Sequence, residues 1–313
     1  MLLRKALSFF RLLLQSPHPM RDMSSRLREN WFTLTRKNPF RYAAAPGFPF
    51  ACVPAAASSR YIFIHGYQEQ LEAGTVAAWL RPGDACVDVG ANVGYFACLF
   101  AEKVGREGCV LALEPGTRTF DSLRQAVDLV GLPQVSLEKA CVLDSERPVR
   151  FMVAASDVAD IEQSLRVDDA RRGEFQEVEV PGTTLDALVQ RHTLGGRVSL
   201  VKIDVEGAEP LVLRGASTLF DMKCLPFFFV EIHRLALANF QYSPPDILAF
   251  FPADKFRRFI VPRSVSDATP QRPYGVPLAY SDGDDLPVLC NLLALPRSGK
   301  FADRATAPAG VLP

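Results

Sequence analysis

Short apolar runs alternate with longer amphipathic stretches through the first half of the chain. Apolar runs bounded by glycine, proline or polar residues are typical of buried strands, and apolar positions recurring every three or four residues are typical of helices. In chain order the pattern predicts a strand at 61–66, a helix at 68–80, a strand at 85–89, a helix at 93–104, a strand at 109–113, a helix at 117–130 and a strand at 135–141. Strands that are apolar throughout and alternate with helices indicate a parallel sheet covered on both faces.

The second half continues this alternation after a polar interruption. The pattern predicts a hairpin arm at 148–154, and residues 156–177 show so little periodicity that we expect a flexible insert, of the kind that often forms a lid. The elements predicted next are a helix from Leu185, a strand at 198–203, a helix at 208–219, a strand at 227–232, a short helix at 244–251 and a strand at 288–295.

A glycine turn links the strand at 85–89 to the helix that follows. Asp88 lies near the strand end, and Gly90 and Gly94 lie in the turn. Glycine lets a backbone turn tightly and approach a ligand, and a carboxylate there accepts hydrogen bonds from cationic or hydroxyl groups. The dinucleotide pattern G-x-G-x-x-G lacks one glycine here, so the turn favours a nucleoside. Glu114, at the end of the next strand, is placed to accept both hydroxyls of a ribose.

Five segments in order resemble the FkbM-type S-adenosylmethionine-dependent methyltransferases. They are PGDACVDVGANVGYF (82–96), ALEPGTRTF (112–120), TTLDAL (183–188), LVKIDVEGAEPLVLRGA (200–216) and FVEIH (229–233). The resemblance covers roughly residues 61–295. It implies a Rossmann-like α/β fold of the class I methyltransferases: a mostly parallel, seven-stranded sheet with an antiparallel last strand and helices on both faces. It also implies S-adenosylmethionine as the cofactor.

The resemblance and the glycine turn together indicate which residues contact the cofactor. We expect Glu114 on the ribose and Asp204 close to the cofactor, and a set around the methionine portion that comprises Asp88, Gly90, Ala91, Asn92 and Gly94. For Asp88 the alternative is a carboxylate that only stabilises the turn, and for Asn92 a helix cap. Adenine usually lies after the third strand of this fold, which corresponds to residues 141–144.

Two acids, Asp204 and Glu206, follow the strand at 198–203, at the edge where open α/β sheets place their ligands. Three roles are open to them: accepting a proton, binding a divalent cation, or capping the helix that begins near residue 208. Lys202 can pair with either acid. Because one close acid pair offers few ligands, we expect no metal ion.

Glu231 and His233 end the next strand, where the alternation of side chains puts both on one face. His233 is the strongest candidate for a general base, because imidazole titrates near neutral pH. The candidate catalytic residues are therefore His233, Asp204, Glu206 and Lys202. The resemblance implies an O-methyltransferase that acts on a hydroxyl of a sugar, a glycan or a natural product.

Composition limits the classes of binding partner and the cellular compartment that we expect for this protein. Thirty-five Lys and Arg balance 35 Asp and Glu among 313 residues, so we expect no nucleic-acid partner. The seven cysteines show no CxxC pairing, which indicates reduced core residues and a cytoplasmic location. No apolar run is long enough to span a membrane. The oligomeric state is left open.

The first 60 residues lie outside the resemblance. Residues 1–42 carry nine Lys and Arg against two acids, and residues 1–16 have the pattern of a basic amphipathic helix. Such a helix either attaches to the anionic inner face of a membrane or packs on the catalytic domain or a second subunit. Prolines between residues 39 and 54 predict a stiff linker. We therefore divide the chain into an extension with its linker (1–60), a methyltransferase domain (61–296) and a tail (297–313).

Two other classes of function are compatible with this fold. One is a catalytically inactive scaffold, against which the intact Asp88, Gly90, Gly94 and Glu114 count. The other is a nicotinamide-dependent oxidoreductase, which the missing third glycine disfavours.

Overall fold

The computed structural model describes residues 19–35, 38–44, 47–66, 68–154, 163–164, 175–221, 225–262 and 278–302. Its helices are α1 (Pro19–Thr35), α2 (Ala57–His65), α3 (Gln70–Ala77), α4 (Tyr95–Val104), α5 (Thr117–Val130), α6 (Leu185–Arg191), α7 (Glu209–Arg214), α8 (Ser217–Asp221), α9 (Arg234–Asn239) and α10 (Pro244–Leu248). Its strands are β1 (Phe40–Ala44), β2 (Phe48–Cys52), β3 (Ala85–Val89), β4 (Cys109–Leu113), β5 (Val135–Glu138), β6 (Cys141–Leu143), β7 (Val149–Ala154), β8 (Gln163–Ser164), β9 (Phe175–Val180), β10 (Gly182–Thr184), β11 (Val198–Ile203), β12 (Phe227–His233), β13 (Phe256–Pro262), β14 (Leu278–Ala279) and β15 (Leu289–Pro296).

The main sheet has the predicted architecture. Its strand order is β14-β13-β15-β12-β11-β3-β4-β5. The pairs from β12 through β11, β3 and β4 to β5 are parallel, whereas β15 runs antiparallel to both β12 and β13. The expected mostly parallel sheet with an antiparallel last strand is therefore confirmed, and the two-residue strand β14 adds a short edge to it.

Side chains that alternate along the strands divide the core between the two faces of the sheet. Leu200, Phe227 and Phe229 pack on one face together with α4 and α5. Val201 and Phe228 belong to the cluster on the other face, which includes residues of α6, α7 and α10. Helices thus cover both faces, as an all-apolar parallel sheet requires.

The prediction of a stiff linker between residues 39 and 54 is wrong for most of this segment. Residues 40–44 and 48–52 pair as the antiparallel strands β1 and β2, and Phe48 and Phe50 are buried. Both rings contact the ring of Tyr95 at the start of α4, with centroids 5.1 and 6.0 Å away. Burying these large apolar side chains outweighs the local stiffness that proline imposes. The division of the chain at residues 60 and 296 otherwise stays a prediction.

The strand predicted at 61–66 is also wrong, because these residues belong to α2 and its C-terminal cap. A short apolar run fits a buried helix as well as a strand, and here Ile62 and Phe63 are buried while Tyr61 and His65 are exposed. The amide of Gly66, at φ 89°, donates to the Ile62 carbonyl oxygen at 2.7 Å and ends the helix.

The polar interruption between the two halves lies partly outside the described residues. β7 pairs with β9 and β8 in a small antiparallel sheet separate from the main one, which agrees with a hairpin arm at 148–154. The expected insert falls largely on residues that the structure does not describe, as does the amphipathic segment 1–16. None of the helices within the described ranges combines the length and apolar character needed to cross a bilayer.

The parallel strands bring four connections to one edge of the sheet. Each of them lies at the carboxyl end of one of four neighbouring strands: the glycine turn after β3, Glu114 after β4, Asp204 after β11 and His233 at the end of β12. This is the edge at which open α/β sheets bind ligands.

Gly90 provides a steric test of how closely the strands approach at this edge. Its φ is 82°, and a Cβ on it would overlap the backbone carbonyl oxygen of Asp204. We expect Gly90→Ala to lower the free energy of unfolding in urea by at least about 3 kcal/mol, since a left-handed conformation and a backbone clash are combined. Gly83→Ala is the matched control, because Gly83 has φ 84° with nothing within 4 Å, and should cost about 1 kcal/mol. Equal costs for both variants would contradict the packing described here.

Candidate active site

The glycine turn after β3 is held closed by hydrogen bonds to β4. The amides of Gly90 and Ala91 donate to the Leu113 carbonyl oxygen at 3.0 and 2.9 Å. Asn92 adopts φ 49° and donates its amide to Oε2 of Glu114 at 2.9 Å. These amides therefore bind the protein itself, and the turn presents its backbone edge and the Asn92 side chain to a ligand.

Glu114 organises the two loops on which the expected ribose would lie. Its Oε1 accepts hydrogen bonds from the Gly116 amide at 2.9 Å and the Thr119 hydroxyl at 2.8 Å. Burial raises the pKa of this carboxyl group, and its bonds from Thr119, Gly116 and Asn92 limit the rise. Oε2 takes one bond from Asn92, and since each carboxylate oxygen has about two acceptor sites, a ligand hydroxyl can still be accommodated.

Lys202 is a buried cation between two of the predicted acids. Its Nζ lies 3.1 Å from Oδ2 of Asp204 and 3.7 Å from Oδ1 of Asp88. The parallel register places Lys202 of β11 directly beside Asp88 of β3. The ammonium group also lies 4.7 Å from the centroid of the Phe96 ring, a cation–π distance. Burial alone would lower the pKa of Lys202, but Asp204 and then Asp88 raise it above its usual value, so the side chain is a charged clamp rather than a base.

Asp88 lies beneath the pocket floor rather than in it. Its side chain is fully buried, and burial raises its pKa to about 6, with Lys202 limiting the rise. This placement fits the alternative in which the carboxylate stabilises the turn. Gly94 likewise does not line the pocket, and a Cβ on it would lie 2.7 Å from the Leu123 side chain of α5.

Glu209, which the sequence analysis did not single out, closes the turn that carries Glu206, whereas the N-terminus of α7 has no side-chain cap from Asp204 or Glu206. Oε1 of Glu209 accepts the amides of Val205 and Gly207, both at 3.1 Å, at the start of α7. Burial raises the pKa of Glu209 to about 7. Glu206 itself adopts φ 55°, an uncommon conformation for a residue other than glycine.

Glu206, Glu231 and His233 converge at the same edge. One potential ligand atom from each lies within 4.8 Å of those of the other two, and Nδ1 of His233 is 3.9 Å from Oε2 of Glu206. Glu231 is buried, whereas the side chains of His233 and Glu206 are 29% and 42% exposed. We call these three residues the edge cluster.

A pocket opens above the glycine turn and reaches the edge cluster through Glu206. It is lined by Gly90, Ala91, Asn92, Glu114, Lys202, Asp204 and Glu206 among the predicted residues. Cys141, in the predicted adenine segment, also lines it. Its other lining residues include Gln68, Glu69, Tyr95, Thr119 and Phe151. Gln68, Glu69 and Phe151 come from segments without any recognisable motif, so no sequence signal identified them.

Comparison with known proteins decides the family. Residues 88–259, more than half of the chain, match the family described as the methyltransferase FkbM domain. The chain belongs to this family. The resemblance inferred from the sequence is thereby confirmed.

Individual proteins resemble the chain more remotely. The curated protein Methyltransferase 1 of Beauveria bassiana (strain ARSEF 2860) is 28% identical over 143 residues, 41% of this chain, and the chain spans 57% of that relative's length. Among solved structures, the FkbM methyltransferase of Methylobacillus flagellatus KT is 14% identical over 76% of this chain and 54% of its own, with a TM-score of 0.38. A SAM-dependent O-methyltransferase from Thermotoga maritima is 13% identical over 82% and 77%, with a TM-score of 0.39. Structural likenesses this remote do not indicate an acceptor.

The pocket of this FkbM-family chain suits the chemistry of S-adenosylmethionine, the cofactor expected from the sequence. The buried Oδ1 of Asn92, a pocket-lining residue, has no hydrogen-bond partner among the described residues. Carboxylates of Glu69, Glu114 and Asp204 suit the ribose hydroxyls and the cationic sulfonium and ammonium groups, and the apolar wall at Cys141 and Phe151 suits an adenine. Polar and apolar walls are therefore both present in one cleft.

The raised pKa of Asp88 predicts a pH-dependent stability. Between about pH 4 and pH 6 the carboxyl group stays protonated in the folded protein but ionises in the unfolded chain. The free energy of unfolding of the wild type should therefore fall, as pH rises through this interval, by up to about 3 kcal/mol relative to Asp88→Asn. Urea unfolding of both proteins at a series of pH values measures the difference. A constant difference across the interval would show that Asp88 does not titrate in this way.

Proposed function

We propose that this protein is an S-adenosylmethionine-dependent O-methyltransferase whose acceptor is a hydroxyl of a sugar, a glycan or a natural product. The convergence of the edge cluster with the pocket carries the proposal, because a hydroxyl must lose a proton when it is methylated. Glu206 lines the pocket, and one potential proton-accepting atom each of Glu231 and His233 lies within 4.8 Å of its carboxylate, which supports an acceptor site next to the cofactor. The family membership supports methyl transfer, and these proton-accepting groups favour an oxygen acceptor.

The residues of the glycine turn would hold the cofactor. We propose that Asn92, Gly90 and Ala91 contact its methionine portion, that Glu114 accepts a ribose hydroxyl, and that Asp204 faces the cationic end. When bound, S-adenosylmethionine would supply an electrophilic methyl group on a sulfonium sulfur, with the thioether as the leaving group. Asp88 and Gly94 support this arrangement from below, since neither lines the pocket.

The edge cluster would orient the acceptor and take up its proton. Glu206 lines the pocket, and His233 lies 3.9 Å from it outside the lining. Both side chains are partly exposed, so a hydroxyl can reach them, whereas Lys202 is held by two carboxylates. Positioning the acceptor oxygen in line with the methyl group contributes as much as the proton acceptor does. We therefore assign catalysis to His233 and Glu206, and a positioning role to Lys202.

The location of the protein belongs to the same proposal. We infer a cytoplasmic enzyme that attaches peripherally to an anionic membrane through residues 1–16. The basic amphipathic pattern of that segment supports attachment, and a lipid-linked glycan would then be a suitable acceptor.

Replacing the imidazole tests the proposed reaction. His233→Ala should lower turnover on a hydroxyl acceptor by about 10² to 10⁴, because that is the range contributed by a positioned proton-accepting group. The affinity for S-adenosylhomocysteine, measured by calorimetry, should stay nearly unchanged, since His233 does not line the pocket.

His192→Ala is the matched control for this experiment. His192 pairs with Glu138 of the edge strand β5 at 2.9 Å, four strand positions from β12, and lies outside the pocket, so its loss should change turnover by less than about threefold. Wild-type turnover in His233→Ala would exclude the assigned role, and methylated nitrogen in the product would contradict the proposed acceptor.

A further inference from the structure

The edge cluster combines two kinds of metal ligand. Glu206 and Glu231 offer carboxylate oxygens and His233 offers an imidazole nitrogen. Carboxylates suit hard ions such as Mg²⁺ and Mn²⁺, whereas imidazole suits Zn²⁺, Fe²⁺ and their neighbours. A mixed set of this kind favours a divalent first-row transition-metal ion over Ca²⁺ or Mg²⁺. The cluster therefore differs in chemistry from an exposed group of acids.

The spacing of the three residues is close to that of a coordination sphere. Ligand atoms bound at about 2.0 to 2.2 Å lie roughly 3 to 4 Å apart around one ion. The three ligand atoms already lie within 4.8 Å of one another, and the pair from His233 and Glu206 is 3.9 Å apart. A small rotation of the partly exposed Glu206 side chain would bring its carboxylate to coordination distance of an ion held by the other two residues.

The burial of the ligands leaves one side of the site open. Glu231 lies at the buried end of the cluster and Glu206 lines the pocket. Three protein ligands leave coordination positions free, and an open position on the pocket side is what a catalytic metal site needs.

We propose that Glu206, Glu231 and His233 bind a divalent transition-metal ion whose open coordination positions receive the acceptor hydroxyl and a neighbouring oxygen of the acceptor. This metal site rests on the proposed function and narrows its class of acceptor. It favours acceptors with two neighbouring oxygens, such as a vicinal diol, because these can chelate the ion. It replaces the expectation of no metal, which considered the acids Asp204 and Glu206 alone. It also makes His233 a ligand in the loaded enzyme rather than a free base.

Manganese binding to the full-length protein tests the site without an activity measurement. After chelator treatment and its removal, titration with MnCl₂ followed by electron paramagnetic resonance should show one saturable site per chain. Glu206→Gln and Glu231→Gln should each weaken this binding at least about tenfold. Glu107→Gln, the same change on an exposed turn, should leave it unchanged.

Each outcome decides the proposal. Absence of a saturable site, or equal binding by the wild type, Glu206→Gln and Glu231→Gln, would overturn it. If Glu231→Gln does not fold, the rim variant Glu206→Gln carries the comparison. Turnover that is lost in chelator and restored by Mn²⁺ would support the site. Methyl transfer that persists without any bound metal would overturn the metal site and leave the proposed function standing, with His233 as the free base.

Discussion

The buried ammonium group of Lys202 ties together the two strand ends on which the site is built. β3 and β11 are neighbours in the sheet, and their register sets Lys202 beside Asp88, while Asp204 begins the turn after β11. Removing these charges from water is costly, and their mutual attraction offsets the cost only when the geometry is held. The clamp therefore makes the relative position of the two turns specific, and the pocket floor lies on those turns.

From this clamp the site extends along the sheet edge in two directions. Towards β4, Glu114 binds the glycine turn and the start of α5 through three hydrogen bonds. Towards β12, the turn that Glu209 closes delivers Glu206 to Glu231 and His233. The proposed cofactor side and the proposed acceptor side of the pocket thus rest on the same pair of neighbouring strands. A fold common to many proteins can acquire a particular site in this way.

The sequence predicted the parts of this structure that local pattern determines. The strands β3, β4 and β11 and the helix α5 have the bounds expected from apolar runs and periodicity. Residues 61–66 were misassigned because a short apolar run does not distinguish a buried helix from a strand. The antiparallel pair β1–β2 was missed because its prolines suggested a linker, while its burial depends on aromatic contacts with α4 that only the folded chain provides. The convergence of Glu206 with Glu231 and His233 likewise depends on tertiary packing, as do the pocket positions of Gln68, Glu69 and Phe151.

The most direct test of this account is the effect of Lys202→Met on S-adenosylhomocysteine binding and on amide hydrogen exchange. If the clamp positions both turns, the dissociation constant should rise at least about tenfold, with faster exchange at residues 89–92 and 204–208 and unchanged exchange in β13 and β15. Lys103→Met, at an exposed position of α4, should behave as the wild type. Wild-type affinity and wild-type exchange in Lys202→Met would contradict the central role given to this interaction.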